Sequence, residues 1–264
     1  MRFRNRASLF LVAIIAASAV GQSAFGAAAV SITPITLQTS TDINLSTTGA
    51  ADWIRWSSNA SQISAPSNFD HSSTGGGKIS TWTEITGSGL TPFDNSAAGN
   101  NNRTFSWVNG TPNPVGTTTL GYVWEDTGAD STGHGFTFTV AADTNTYDLR
   151  FFVANHFTIA KLTATLLSPS STPLASQTDT SWSASTVNPS AVETGYYDVV
   201  FTGAEALDTL NVNFQVGTNF GAANNASGNG YVGISAAALA IVPEPTLAAT
   251  VFLVLMPLIR SRRP

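Results

Sequence analysis

The segment Gly135-Phe136-Thr137-Phe138-Thr139-Val140-Ala141 decides the fold class. In an extended chain Phe136, Phe138 and Val140 share one side and Thr137 and Thr139 the other, the period-two pattern of a half-buried strand. Residues 146–154 repeat the pattern with Tyr147, Leu149, Phe151 and Val153, after a turn at 142–145. The two segments therefore read as a hairpin. Working outward, residues 161–167, 196–201 and 207–216 continue the alternation, and 230–239 gives a last strand that ends in alanines. Upstream, residues 42–47 alternate Ile43 and Leu45 with polar neighbours as a further strand, and residues 31–39 set Ile32, Ile35 and Leu37 around Pro34 in a segment expected to be an edge strand or a bulge. Helical periodicity is sustained nowhere in the body. About a dozen short strands separated by Gly-, Ser- and Asn-rich turns predict an all-β fold, a single antiparallel β-sandwich of jelly-roll type.

The two ends of the 264-residue chain carry a different composition. Residues 1–26 place Arg2, Arg4 and Arg6 before an apolar run from about Leu9 to Val20, followed by the small-residue pattern Ala24-Phe25-Gly26. This is the layout of a secretory signal peptide, with cleavage expected after Gly26 and Ala29 as the competing site. The apolar run is shorter than the roughly 20 residues of a membrane-spanning helix.

With both ends set aside, residues 27–241 form the body. It keeps five cations, Arg55, Lys78, Arg103, Arg150 and Lys161, against fifteen carboxylates, a net charge of −10 where the whole chain has −5. A body so acidic is a poor partner for a phosphate backbone, so no nucleic-acid partner is expected. The chain has no cysteine, which excludes disulfides, thiol nucleophiles and cysteine-ligated zinc and leaves stability to the core alone.

The body offers few candidates for chemistry. In Asp52-Trp53-Ile54-Arg55-Trp56, a strand would set Trp53 and Arg55 on one face and Ile54 and Trp56 on the other. Trp53, Arg55 and Trp107 form a possible ligand-binding set, an exposed indole beside a guanidinium being able to stack on a sugar, although a tryptophan in a sandwich more often packs between sheets. Glu125, Asp126 and Asp130 bring carboxylates into one hydroxyl-rich loop, a possible calcium site that lacks EF-hand spacing. His71, His134 and His156 show no metal-ligand spacing, and the motifs of zinc proteases and serine hydrolases are absent. No carboxylate pair is nominated for glycoside hydrolysis. No catalytic residue is expected, and apart from possible calcium no cofactor is expected.

The last residues read in three parts: Val242-Pro243-Glu244-Pro245-Thr246, an apolar transmembrane helix over 247–259, and a basic cluster over 260–264 with Arg260, Arg262 and Arg263. This tail resembles the PEP-CTERM protein-sorting signal of Gram-negative bacteria. The resemblance implies recognition and processing near Pro243–Pro245 by an exosortase-type membrane transpeptidase, after export through the secretion translocon and signal peptidase. Thirteen helical residues reach about 20 Å, against a hydrocarbon core of roughly 30 Å. That marginal span suits a transient inner-membrane anchor, its arginines held on the cytoplasmic side. Asp52–Trp56 together with Phe105-Ser106-Trp107-Val108-Asn109-Gly110-Thr111-Pro112 is also similar to a β-rich module of secreted proteins of environmental bacteria, which brings no functional residues with it. The expectation is an exported, non-enzymatic protein of the cell surface or extracellular matrix, structural or adhesive, with extracellular polysaccharide as a possible partner. The alternatives are a carbohydrate-binding module and, behind it, a secreted glycoside hydrolase.

Overall fold

A computed structural model of the protein describes residues 27–37, 42–56, 69–75, 77–86, 90–93, 104–118, 122–125, 132–184, 192–220 and 230–243. In chain order the first elements are β1 (Ala29–Leu37), β2 (Asp42–Asn44), the four-residue helix α1 (Leu45–Thr48), β3 (Asp52–Trp56), β4 (Phe69–Ser72), β5 (Thr83–Glu84) and β6 (Leu90–Phe93). β7 (Thr104–Val108), β8 (Gly110–Thr111), β9 (Val115–Thr118), β10 (Tyr122–Glu125), β11 (Gly135–Ala142) and β12 (Thr146–His156) follow. The chain closes with β13 (Thr158–Leu167), β14 (Pro173–Asp179), β15 (Glu193–Thr202), β16 (Asp208–Asn219) and β17 (Tyr231–Ile241). The all-β expectation holds. Among the described residues α1 is the one helix, and no helix is long and apolar enough to cross a membrane. Residues 1–26 and 247–259 lie outside the described residues.

The strands form three sheets. A nine-stranded sheet runs β1-β15-β12-β17-β3-β4-β8, with β10 pairing β17 and β6 pairing β10. A five-stranded sheet runs β14-β13-β16-β11-β5, and a small one runs β2-β7-β9. Among the described residues every strand pairing is antiparallel except β2 with β7. The two large sheets share one core. The five-stranded sheet contributes Phe136, Phe138, Val140, Leu162, Leu166, Val212 and Phe214, and the nine-stranded sheet Tyr147, Leu149, Phe151, Tyr197, Val199, Ile54 and Trp56. The rings meet edge-on: Trp56 lies 5.2 Å from Phe138 and 6.2 Å from Phe151, an arrangement aromatic quadrupoles favour. A chain without disulfides depends on this volume of aromatic burial.

One expectation needs correcting. β11 and β12 are not a hairpin, because β11 pairs β16 and β5 while β12 pairs β15 and β17 in the other sheet. The turn between them is an arch from sheet to sheet. Asp143 holds it by accepting from the backbone N–H of Asn145 at 2.8 Å and from the Tyr147 hydroxyl at 2.8 Å. Alternation states which side of a strand is buried but not which strand lies beside it. Both segments bury their apolar face in the same core, from opposite sides.

Among the described residues β1 is an edge strand paired only with β15, and its register shifts between Thr33 and Thr36, around Pro34. Proline cannot donate to a ladder, so an interrupted edge is where it fits. Residues 45–47, read as strand, form the start of α1 instead. Asn44 caps that helix by accepting from the Thr47 N–H at 3.2 Å, and Leu45 is fully buried beneath it.

A second core lies on the opposite face of the nine-stranded sheet. Ile43, Leu45, Phe105 and Trp107 pack there onto Trp53, Phe152, Ala236 and Ala238. The small sheet and α1 thus cover part of that face and stop short of the rest.

Candidate functional site

The edge of this covering layer makes a cleft of about 240 Å³, lined by Thr47, Thr48, Asp148, Arg150 and Ala240. Each wall has a local cause. The β12 sequence alternates Tyr147, Leu149 and Phe151 into the core, so Asp148 and Arg150 must point the other way. On β17, Ala240 lies opposite Asp148 and Ala238 opposite Arg150. Ala240 leaves space where a longer side chain would stand, while Ala238 lies under the second core. Opposite the floor, Leu45 anchors α1 in the second core, and Gly49 brings the next turn against the sheet. A Cβ at Gly49 would come within 2.3 Å of the Asp52 carbonyl oxygen and 3.1 Å of the Ala238 Cα, so only glycine allows this approach.

The charges in the cleft differ in how they are held. Arg150 donates through Nε to Asp198 Oδ1 at 2.8 Å and through Nη2 to Oδ2 at 3.1 Å, a bidentate pair across β12 and β15. Its guanidinium carbon sits 4.3 Å from the centre of the Tyr196 ring. The hydrogen bonds that Arg150 donates to Asp198 hold its pKa above the ordinary value. Asp148 has no such clamp. Its Oδ1 is buried and receives no hydrogen bond from a described residue. Burial first, and then the negative charge of Asp198, push its carboxyl pKa upward, with Arg150 opposing. The cleft therefore offers a carboxylate acceptor, a neutralised guanidinium with donors left over, and two threonine hydroxyls.

The structure places the sequence-predicted ligand set elsewhere. Trp53 is 1% exposed, Arg55 0% and Trp107 4%, so none of them presents a ring face or guanidinium to solvent. Trp53 and Trp107 pack on each other at 5.8 Å in the second core. The Arg55 guanidinium lies 4.8 Å over the Phe105 ring, and its Nη1 donates to the carbonyls of Trp56 and, at 2.7 Å, of Ser235. The reason is the covering layer, which turns the outward face of β3 into an interior. Trp107 fits because glycine stands on both sides of it: a Cβ at Gly110 would meet its indole at 2.6 Å and one at Gly116 at 2.1 Å.

Of the calcium set, Glu125 ends β10, where its backbone pairs with Leu90, while Asp126 and Asp130 lie outside the described residues. Among the described residues no group of three or more metal-ligating side chains comes together. Of the sorting motif, Val242 and Pro243 are described and exposed, and the Val242 N–H still donates to the Thr146 carbonyl at 2.9 Å. Glu244, Pro245, Thr246, Arg260, Arg262 and Arg263 lie outside the described residues.

No protein-family model matches this chain, and no curated protein matches it. Among solved structures it is similar to the enzymatically active domain of tailspike protein 4 of bacteriophage CBA120, at 15% identity and a TM-score of 0.36. That likeness covers 71% of this chain and 21% of the tailspike chain, so this chain spans about a fifth of its neighbour. A likeness of that size carries nothing about activity.

Sequence reasoning missed Asp148 and Arg150. Their outward direction was legible in the alternation of 147–151. Their company was not, because Asp198, Thr48 and Ala240 reach them only through strand pairing and the fold-back of α1.

Proposed function

We propose that this chain is an exported protein of the cell surface or extracellular matrix, sorted through a C-terminal PEP-CTERM-type signal, with a single jelly-roll-like β-sandwich as its working body. Signal peptide 1–26 directs export. The body 27–241 folds outside the inner membrane, and the tail 242–264 is the substrate of an exosortase-type transpeptidase. The body then serves a structural or adhesive role.

The observation that supports this most is where the last strand ends. β17 lies inside the nine-stranded sheet, between β12 on one side and β3 and β10 on the other. It finishes at Ile241, immediately before Val242-Pro243-Glu244-Pro245-Thr246. Ile241 and Val242 are 51% and 38% exposed. Removal of everything beyond Pro243 takes away none of the ladder bonds among the described residues, whereas a cut a few residues earlier would open the centre of the sheet. The other end has the same logic. Cleavage after Gly26 leaves two residues ahead of β1, while cleavage after Ala29 would remove the first β1–β15 pair, Ala29 with Thr202.

Intact-mass and terminal-peptide mass spectrometry of the protein recovered from a host with an active exosortase tests this reading. The expected product begins at Ala27 and ends between Pro243 and Pro245. A product still ending at Pro264 overturns it.

A further inference from the structure

The cleft beside α1 gathers a carboxylate, a guanidinium and two threonine hydroxyls on one concave surface at the edge of the covering layer. Asp148 faces a space, lined also by Arg150, Thr47, Thr48 and Ala240. We propose that this cleft binds one unit of a neutral, hydroxyl-rich glycan, Asp148 accepting from adjacent sugar hydroxyls while Arg150 and the Thr47–Thr48 turn complete the hydrogen bonds around the ring.

The chemistry of the walls selects this class of ligand over its rivals. Arg150 is neutralised by its bidentate pair with Asp198, so the cleft carries the charge of Asp148 alone. An anionic sugar would set like charge against like. A metal ion would find too few ligands, since no cluster of three metal-ligating side chains exists among the described residues. An apolar ligand would cover Asp148 and leave it unpaired. Sugar hydroxyls donate to a carboxylate and accept from a guanidinium, and charge-assisted bonds of this kind are the strong ones. The volume of about 240 Å³ is below that of pockets for drug-sized ligands and fits a single ring, with the open side leaving a longer glycan free to continue. This inference is independent of the sorting reading, because the cleft would bind whether or not the tail is removed.

The test is isothermal titration of the full-length chain in detergent micelles with cellohexaose, maltohexaose, hexagalacturonic acid and calcium chloride, each alone. Saturable binding of at least one neutral hexamer is expected. Asp148→Asn should weaken it about tenfold or more, the loss of a charged hydrogen-bond partner. Ala240→Leu, which fills the floor without changing charge, should weaken it comparably, and Thr163→Lys on the opposite sheet should leave it unchanged. Thermal melting keeps the result interpretable: Asp148→Asn should melt no lower than the parent, and Ala240→Leu decides if it does. Binding of no neutral hexamer, binding of hexagalacturonic acid or calcium alone, or unchanged affinity in both Asp148→Asn and Ala240→Leu overturns the proposal.

Discussion

The outward faces of the two large sheets follow the same alternation and end up with opposite character. On the five-stranded sheet, Thr83, Thr137, Asn213, Thr163 and Thr178 stand side by side across all five strands. Thr139, Asn211, Thr165 and Ser176 form the next row. These side chains bond one another: Thr163 with Thr178 at 3.1 Å, Thr165 with Ser176 at 2.9 Å, and Thr137 donating to Asn211 at 3.0 Å. Neither row contains a charge. The nine-stranded sheet instead carries Asp148, Arg150 and Asp198 outward, beside a second core laid over its other half. A finished ladder has its polar groups largely satisfied by neighbours. A partial cover creates an edge, a concavity and a carboxylate left without a donor. The difference teaches that the place to expect function is where a covering layer stops.

The contrast can be broken most forcefully at the cover. Trp107→Ala would empty the site between Gly110, Gly116 and Trp53, and a buried tryptophan truncation costs about 3–5 kcal/mol. Chemical denaturation should show that loss, along with a drop in any ligand binding at the cleft, since α1 rests on the same core. Gly116→Ala should cost about 1–3 kcal/mol by overpacking against the Trp107 indole. An unchanged denaturation midpoint in that variant would mean the indole is not held as described.

Smaller effects separate the two faces themselves. Asp198→Ala removes the partner of Arg150. With both side chains partly exposed, at 36% and 21%, solvent screening limits the loss to about 1 kcal/mol or less. Asp148 responds to pH with a definite sign. Its folded pKa is raised above the ordinary 3.8, so the folded state holds the proton more tightly than the unfolded one. Its contribution to stability is then greatest below about pH 4 and is lost as pH rises through the folded value. Melting curves should show Asp148→Asn gaining on the parent from about pH 4 toward neutrality. A constant difference across that range would contradict the burial of the carboxylate. Asp143 has the opposite sign: although burial raises it, the Asn145 N–H, the Tyr147 hydroxyl and Lys78 outweigh burial and lower it. Its contribution is present above pH 3.8 and is lost only in stronger acid. The smallest change belongs to the ladder. Thr163→Val with Thr165→Val should move stability by no more than about 0.5 kcal/mol, as surface substitutions usually do.

The sequence was most informative where physics is local. Alternation in 135–141 and 147–153 placed the core residues, and Pro34 marked an edge strand. The arch at Asp143–Asn145 was illegible because it depends on which sheet each strand joins. For Trp53, Arg55 and Trp107 the sequence leaves a ligand-binding set open beside the commoner packed tryptophan, because nothing in 52–56 signals the small sheet that buries them. The alanines of β17 are poor strand formers by propensity. Their role emerges only from their neighbours: Ala236 and Ala238 lie beneath the second core, and Ala240 floors the cleft.

The most direct test that the cleft side is the working face is residue-resolved amide chemical-shift mapping during titration of the full-length chain with a neutral hexasaccharide such as cellohexaose. The account predicts saturating shifts at Thr47, Thr48, Asp148, Arg150 and Ala240, with Thr137, Thr163 and Asn213 silent. Shifts concentrated on the threonine rows, with the cleft silent, would contradict it.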